Sequence, residues 1–397
     1  MRVLLTTESA LPYLSGVTVS VDSLARGLGA RGHEVLVLAP RPAEGKDPQP
    51  VGSPGPPPSY AWLPSYELPF LVPAGYRMPI PAPWAEGIRD ALRFAPDVVH
   101  AHSPFTTGLV ARRIARRVRA PLVFTHHTRF DAYGHYLGPL ARPGAAATMA
   151  YLRRWWAGCV AVIAPSTDLA AEIGARMPAG RADRVRVIPT GVDVAAIRGA
   201  APLDVRPVAG WPAGAVVVAS LGRLAAEKDP AVVLDAFARA AALEETARLL
   251  VIGGGPLEAE VRARAAAPGL AGRVHVTGRL DRTDALARLV AADLFCFASR
   301  TETQGLVLAE ALTAGLPAVA VAGPGVRDSV RDTVDGLVVP ADPAHTRAAR
   351  LGDALAELVA DAPRRRAMAT RARDDADRFA VERRVAETEE LYRAVSR

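Results

Sequence analysis

The feature that most limits what this chain can fold into is an unbroken apolar run that keeps returning. Short Val/Leu/Ile-rich segments occupy residues 3–6, 35–39, 98–101, 122–125, 160–164 and 185–188, then 216–221, 249–252, 274–277, 294–298, 318–321 and 337–339. Most are continuously apolar rather than alternating with polar residues, as a strand with one wet face would; residues 185–188 and 274–277, with Arg186 and His275, are the exceptions. The pattern therefore reads as strands covered on both faces. Between the runs lie segments with helical spacing. Val17, Val21, Leu24 and Leu28 fall at i, i+4, i+7 and i+11, and residues 230–242 and 283–292 behave alike. Strand and helix in alternation predict an α/β fold of two parallel-sheet sandwiches in series.

The seam is expected after Thr190-Gly191-Val192-Asp193, where residues 197–212 lose periodicity and collect Pro, Gly and Ala. That places one domain at 1–195 and a second at 196–380, with a last helix at about 381–397. Residues 40–85 break the pattern, holding 14 of the 34 prolines together with Trp62, Tyr66, Phe70, Tyr76 and Trp84. A connection this long in a compact domain is usually functional, and its aromatics predict partial packing over an acceptor.

Composition narrows the classes. Half the residues are hydrophobic and 22% are charged, which excludes wholesale disorder. The net charge of +7 sits entirely in the first 194 residues, which carry 21 basic against 14 acidic residues, while the remainder carries 27 of each. Cys159 and Cys296 lie inside apolar runs and read as core residues rather than a disulfide or a metal site. The first residues reach Glu8 after too short an apolar stretch for a signal-peptide core, and no run of about 18 apolar residues occurs. A cytoplasmic protein is expected. Residues 109–119 form an amphipathic helix, read with Arg112, Arg113, Arg116 and Arg117 on one face and Leu109, Ile114 and Val118 opposite. Peripheral contact with anionic lipid and a merely solvated face both stay open. Nucleic acid is disfavoured because no aromatics interleave these arginines.

Four constellations can carry chemistry. The loop after the first strand ends in Ser15-Gly16 directly before a helix, where glycine lets backbone N–H groups approach an anion; that loop carries no G-x-G-x-x-G, which argues against a nicotinamide or flavin enzyme. In the second half, Gly222-Arg223-Leu224 and Glu227-Lys228 follow a strand end, placing two cations where open α/β sheets bind ligands. Lys228 is one of only two lysines beside 46 arginines, so a compact ammonium is wanted there. The most informative stretch is Thr301-Glu302-Thr303-Gln304-Gly305-Leu306-Val307-Leu308-Ala309-Glu310. The N–H groups of Gln304, Gly305 and Leu306 open a helix as unpaired donors. Glu310 sits in an otherwise apolar run, where a carboxylate is costly without partners; two glutamates on one loop–helix unit suit a sugar nucleotide. Histidines after two strands, His100 and His102, then His126 and His127, are expected to line one rim and to bond a hydroxylated ligand. No carboxylate or cysteine stands at a familiar metal spacing.

Together these residues resemble the retaining, nucleotide-sugar-dependent glycosyltransferases of the GT-B fold, family 4 and group 1, which include phosphatidylinositol mannosyltransferases and glucosyl-diacylglycerol synthases. The marks are Glu302 and Glu310, Gly222-Arg223-Leu224 with Glu227-Lys228, Pro189-Thr190-Gly191-Val192-Asp193, and Val251-Ile252-Gly253-Gly254-Gly255-Pro256. Thr190 stands where the family usually has Asn, and Gly254 where Asp is common. The resemblance implies two Rossmann-like domains facing each other across a deep cleft, the first completed by the C-terminal helix. It implies that Arg223 and Lys228 neutralise the donor pyrophosphate of a UDP- or GDP-sugar and that Glu310 holds the ribose. Glu302, Gln304, Gly305 and Leu306 would meet the sugar and phosphate, Arg279 and Leu280 would contact the base, and Gly254 would also lie on the donor. Gly16 would close on the diphosphate and His127 would sit beside sugar and acceptor. No metal and no cofactor beyond the sugar nucleotide are implied.

For the acceptor, the resemblance and the residues point two ways. Residues 128–136 look like those of lipid-modifying relatives. Glu8, Glu67, Glu86, Asp90 and Asp131 instead offer a pocket for a small cationic acceptor such as an aminocyclitol, which is preferred because no cluster of large apolar residues accompanies the arginine face. Glu8, Tyr13, His102, Arg129, Asp131 and Tyr133 are the acceptor candidates. A sugar-nucleotide epimerase of the same architecture is the rival class.

Overall fold

The computed structural model describes residues 1–13, 15–43, 55–67, 76–129, 141–299 and 301–396. The chain divides into two compact units, Met1–Asp193 with Val381–Arg397, and Val194–Ala380.

In the first unit, β1 (Arg2–Thr6) leads through α1 (Gly16–Ala30) to β2 (Glu34–Pro40), β3 (Ser59–Leu63) and a short hairpin of β4 (Ser65–Glu67) and β5 (Arg77–Pro79). Then come α2 (Glu86–Phe94), β6 (Val98–Ala101), α3 (Thr106–Val118), β7 (Leu122–Thr125), α4 (Ala141–Ala157), β8 (Ala161–Ala164), α5 (Thr167–Arg176) and β9 (Val185–Val187). Seven strands make a wholly parallel sheet in the order β3-β2-β1-β6-β7-β8-β9. One core lies on each face: Leu4, Phe124, Trp155 and Trp156 on one, Val3, Leu5, Val21 and Tyr392 on the other.

The second unit opens with α6 (Val194–Arg198), β10 (Val216–Leu221), α7 (Pro230–Leu243), β11 (Ala247–Ile252), α8 (Glu258–Ala265), β12 (Val274–Val276), α9 (Arg282–Leu289) and β13 (Leu294–Phe297). It continues with α10 (Leu306–Thr313), β14 (Ala318–Val321), α11 (Val326–Ser329), β15 (Gly336–Val339), α12 (Ala344–Ala360) and α13 (Ala362–Asp374). Its six strands are parallel in the order β12-β11-β10-β13-β14-β15. The chain then returns to the first unit as α14 (Val381–Val395), whose Tyr392 is fully buried beside α1. In both sheets the order reverses once, between β1 and β6 and between β10 and β13. Loops leaving the carboxyl ends of those strands diverge, opening a crevice for a ligand.

Three local findings differ from the sequence reading. The Pro-rich segment contains an edge strand, β3, in which Ala61 and Leu63 point into the core and Tyr60 stacks on Trp62 at 4.6 Å. Its prolines flank the strand, so no ladder hydrogen bond is lost. In α1, Asp22 and Arg26 are buried as a pair, Nε donating to both carboxylate oxygens at 3.1 and 3.0 Å. In α3, Ile114 faces the core, but Arg112 turns inward over the Trp155 ring at 4.1 Å. Leu109 is 53% exposed and shares the outer face with Arg113, Arg116 and Arg117. Among the described residues no helix is long and apolar enough to cross a membrane. Cys159 and Cys296 are free and buried, and burial pushes both thiols up to about 12.

Candidate active site

In the second unit the loops after β10 and β11 are zipped together. Leu224 N–H donates to Gly254 O at 3.0 Å, and Leu257 N–H to Leu224 O at 3.0 Å. Gly253, at φ +136°, lies so close to Gly222 that a Cβ would stand 2.0 Å from its carbonyl oxygen. Only glycine allows that approach. The loop after β13 is tied to the same place, since Ser299 Oγ and Thr301 Oγ1 donate to Glu227 O at 3.0 and 3.1 Å. As a result Lys228 donates to Glu302 Oε1, joining two motifs 74 residues apart. Gly305 caps α10 at φ +77°, a conformation that side chains resist, and the helix amides beyond it are left as donors.

Glu310 lies one turn into α10 and is buried. Arg282, at the start of α9, donates to its Oε1 at 2.8 Å, while Oε2 takes no hydrogen bond from the described residues. The charged run-in to α9 thus supplies the partner that a buried carboxylate requires. Arg223 and Arg279 are exposed and form no ion pair among the described residues. Gly254 sits against the Arg279 backbone, where a Cβ would be 3.0 Å from the amide nitrogen and 2.8 Å from Glu258 Oε2. Glu258 therefore fills the space beside Gly254. Leu280 is half-buried and Gln304 is buried.

The rim of the first unit is built differently. Gly16 is exposed at the first position of α1, and Ser15 caps it by accepting from Thr18 N at 3.2 Å. Ser9, Ser15 and Thr18 close a ring of hydroxyl hydrogen bonds of 2.8 to 3.0 Å. Glu8 accepts from Thr107 N at 3.2 Å, so it caps α3, and burial raises its carboxyl above the usual range. Tyr13 meets Tyr76 edge-to-face at 5.4 Å. Beside β6 and β7, His102 Nδ1 and His127 Nε2 share a hydrogen bond of 2.8 Å. Behind them His100 bonds Tyr392 Oη at 2.5 Å and Thr125 Oγ1 at 2.7 Å. Burial drives His100 and His127 down to about 3 and lowers His102 as well, so all three rings are neutral at pH 7.

Of the acceptor candidates among the described residues, Glu8 and Tyr13 both lie near Tyr76. His102 is buried and bonded to His127. Arg129 is held by Glu172 at 3.1 Å, and Glu8 is committed to a helix end. Asp131 and Tyr133 lie outside the described residues. Arg282 and Glu258 escaped the sequence reading. The signal for Arg282 was indirect: a glutamate in an apolar helix demands a cation nearby. Among the described residues no three His, Cys, Asp or Glu side chains gather where they could hold a metal ion.

Comparison with known proteins meets this geometry at both units. Residues 14–196 match the model of Glycosyltransferase Family 4, and residues 204–375 that of Glycosyl transferases group 1. The chain belongs to the family 4, group 1 glycosyltransferases. It is 30% identical over 382 residues to a phosphatidyl-myo-inositol mannosyltransferase of Mycobacterium tuberculosis, covering 89% of this chain and 86% of the other. It is 28% identical over 352 residues to an alpha-monoglucosyldiacylglycerol synthase of Streptococcus pneumoniae, covering 85% and 75%. Among solved structures, Anabaena Alr3699/HepE in complex with UDP and glucose superposes with a TM-score of 0.72 at 18% identity over 99% of this chain and 100% of that one. The fold is GT-B, and the chain is a nucleotide-sugar glycosyltransferase.

Proposed function

We propose that this glycosyltransferase moves a hexosyl group from a UDP- or GDP-sugar to a hydroxyl of a membrane lipid headgroup, with retention of anomeric configuration and without a metal ion. The observation that carries the donor half is the meeting of Lys228 and Glu302 beside α10, with a buried Glu310 that keeps one oxygen open. Arg223, Lys228 and the α10 amides receive the diphosphate, Glu310 the ribose hydroxyls, Arg279 and Leu280 the base. As the anomeric C–O bond breaks, charge grows on the leaving phosphate oxygen. Fixed cations and helix-end donors stabilise it without reorganisation. The acceptor oxygen bonds the anomeric carbon on the same face, and its proton passes to the departing phosphate oxygen. Lys228 is released from Glu302 to the phosphate, leaving Glu302 for the sugar hydroxyls. His127, neutral, bonds the sugar or acceptor hydroxyl.

The lipid acceptor replaces the small cationic one preferred from sequence. Glu8, raised by burial and engaged with α3, is a poor partner for a cationic acceptor. The outer face of α3 carries Leu109 with Arg113, Arg116 and Arg117, and Phe105 precedes it. Trp84, 76% exposed, stands just before the neighbouring α2. Aromatic and aliphatic tips backed by arginines suit the headgroup layer of an anionic bilayer. The two relatives named above are also named for lipid substrates. A mass-spectrometric screen of UDP- and GDP-hexoses against diacylglycerol and phosphatidylinositol vesicles, with an aminocyclitol arm, tests this reading. A glycolipid product with the donor's anomeric configuration is expected. Transfer to the aminocyclitol alone overturns the lipid acceptor, and interconversion of donors without any acceptor marks an epimerase.

A further inference from the structure

His102 follows β6 and His127 follows β7, adjacent strands of one sheet. Their rings lie nearly parallel, 19° apart with centroids at 5.1 Å, and a single proton occupies the 2.8 Å bond between His102 Nδ1 and His127 Nε2. His102 is 5% exposed, and its other nitrogen, Nε2, has no hydrogen-bond partner among the described residues. The same ring lines a cavity of about 40 Å³ whose wall is largely apolar, with Leu24, Ile163, Ile188 and Val385, and also includes the hydroxyl residues Ser20, Ser23, Thr125, Thr190 and Thr388. A cavity of that size has room for about three waters at about 10–15 Å³ each, and its serine and threonine residues with the His102 ring offer the partners that buried water needs. A buried ring nitrogen left unpaired is costly.

We infer that His102 is a positioning residue: a water held in this hydrated cavity pairs with its Nε2, and the ring so fixed locks His127 into one neutral tautomer and one orientation at the rim. The inference rests on the rim role given to His127 above, but the lock itself is a property of the free protein. Neutrality of both rings agrees with it, because a second proton on the pair would set two donors against each other. The neighbouring His100 is separately satisfied by Tyr392 and Thr125, so it cannot supply the missing partner.

The test uses histidine-selective ¹⁵N labelling of the whole chain, in which two-bond N–H couplings distinguish Nδ1–H from Nε2–H. In the unsubstituted protein at pH 7, His127 and His102 should each show one neutral tautomer, with one donor and one acceptor at the shared bond. Averaged tautomers or a protonated ring overturn the inference without any reference to activity. His102→Asn keeps an amide at the Nδ1 position, whereas His102→Gln places it at Nε2. We expect kcat to stay within roughly threefold for H102N and to fall roughly 10- to 100-fold for H102Q, the usual range for losing an imidazole's outer partner. The donor KM should be unchanged in both, and His127 should average its tautomers only in H102Q. Equal losses in the two variants, or an unaltered His127 spectrum in H102Q, contradict the lock. Should the protein transfer no sugar at all, the spectra still decide the point, so failure of the proposed function and of this inference remain distinguishable.

Discussion

The rims of the two units occupy equivalent places, at the carboxyl ends of strands flanking a reversal in sheet order, and they are chemically unlike. In unit 2, Arg223 and Arg279 are exposed, Lys228 rests on Glu302, and Glu310 is buried but half-satisfied. In unit 1, hydroxyls close on one another, Glu8 caps a helix, and the histidines are neutral. Yet the surplus positive charge belongs to the first 194 residues. Net charge therefore does not point to the rim proposed for the anion. The surplus arginines of unit 1 lie largely on outer surfaces such as α3, while the balanced unit concentrates usable cations at its rim. What binds a diphosphate is placement beside a helix end, not the sum of charges.

The comparison breaks first if charge at the unit 2 rim is dispensable. Lys228→Ala and Glu310→Gln should each lower transfer by at least ~10²-fold, the scale of lost charge stabilisation, measured as kcat/KM for the sugar nucleotide. Reversing Arg113, Arg116 and Arg117 together to Glu should weaken flotation with anionic liposomes by ~10²-fold, at about 1 kcal/mol per arginine removed. Nucleotide affinity should be untouched by that change, which separates surface charge from rim charge. Arg282→Gln should weaken UDP binding roughly tenfold by calorimetry, and should shrink the cost of omitting the ribose hydroxyls.

A smaller effect sharpens the contrast in protonation. His100 and His127 titrate at about 3 in the folded chain against 6.5 for an ordinary imidazole. The unfolded state binds protons first, so their contribution is complete above pH 6.5 and is lost as pH falls from 6.5 toward 3. Hydrogen-exchange protection of β6 and β7 should fall over that window, and that of β10 and β13 should not follow it. Smallest of all, burial raises the Glu8 carboxyl, so its charged form destabilises unit 1 at neutral pH. Glu8→Gln, which can still accept from Thr107, should raise the melting temperature slightly at pH 7 and not at pH 4.

Much of the fold was legible because a strand covered on both faces needs continuous apolar residues, and the runs around Val3, Val98, Val218 and Leu294 have them. β3 was not, since an edge strand needs apolar residues only at alternate positions and Tyr60 to Leu63 lie among prolines. In the site, Glu302 and Glu310 stood out because carboxylates in apolar or turn contexts demand an explanation. Arg282 did not, because one arginine among 46 carries no signal until its partner across the sheet edge is known. The bond between His102 and His127 was not legible either, because a strand-end histidine shows its position in the sequence and not which way its ring turns.

The central claim is that an activated sugar diphosphate is held by the rim of unit 2. A crystal structure of the whole chain soaked separately with UDP and GDP tests it most directly. The account predicts the diphosphate against Arg223, Lys228 and the amides opening α10, with the ribose on Glu310. A nucleotide seated elsewhere, with Lys228 still bound to Glu302 and Glu310 untouched, would contradict it.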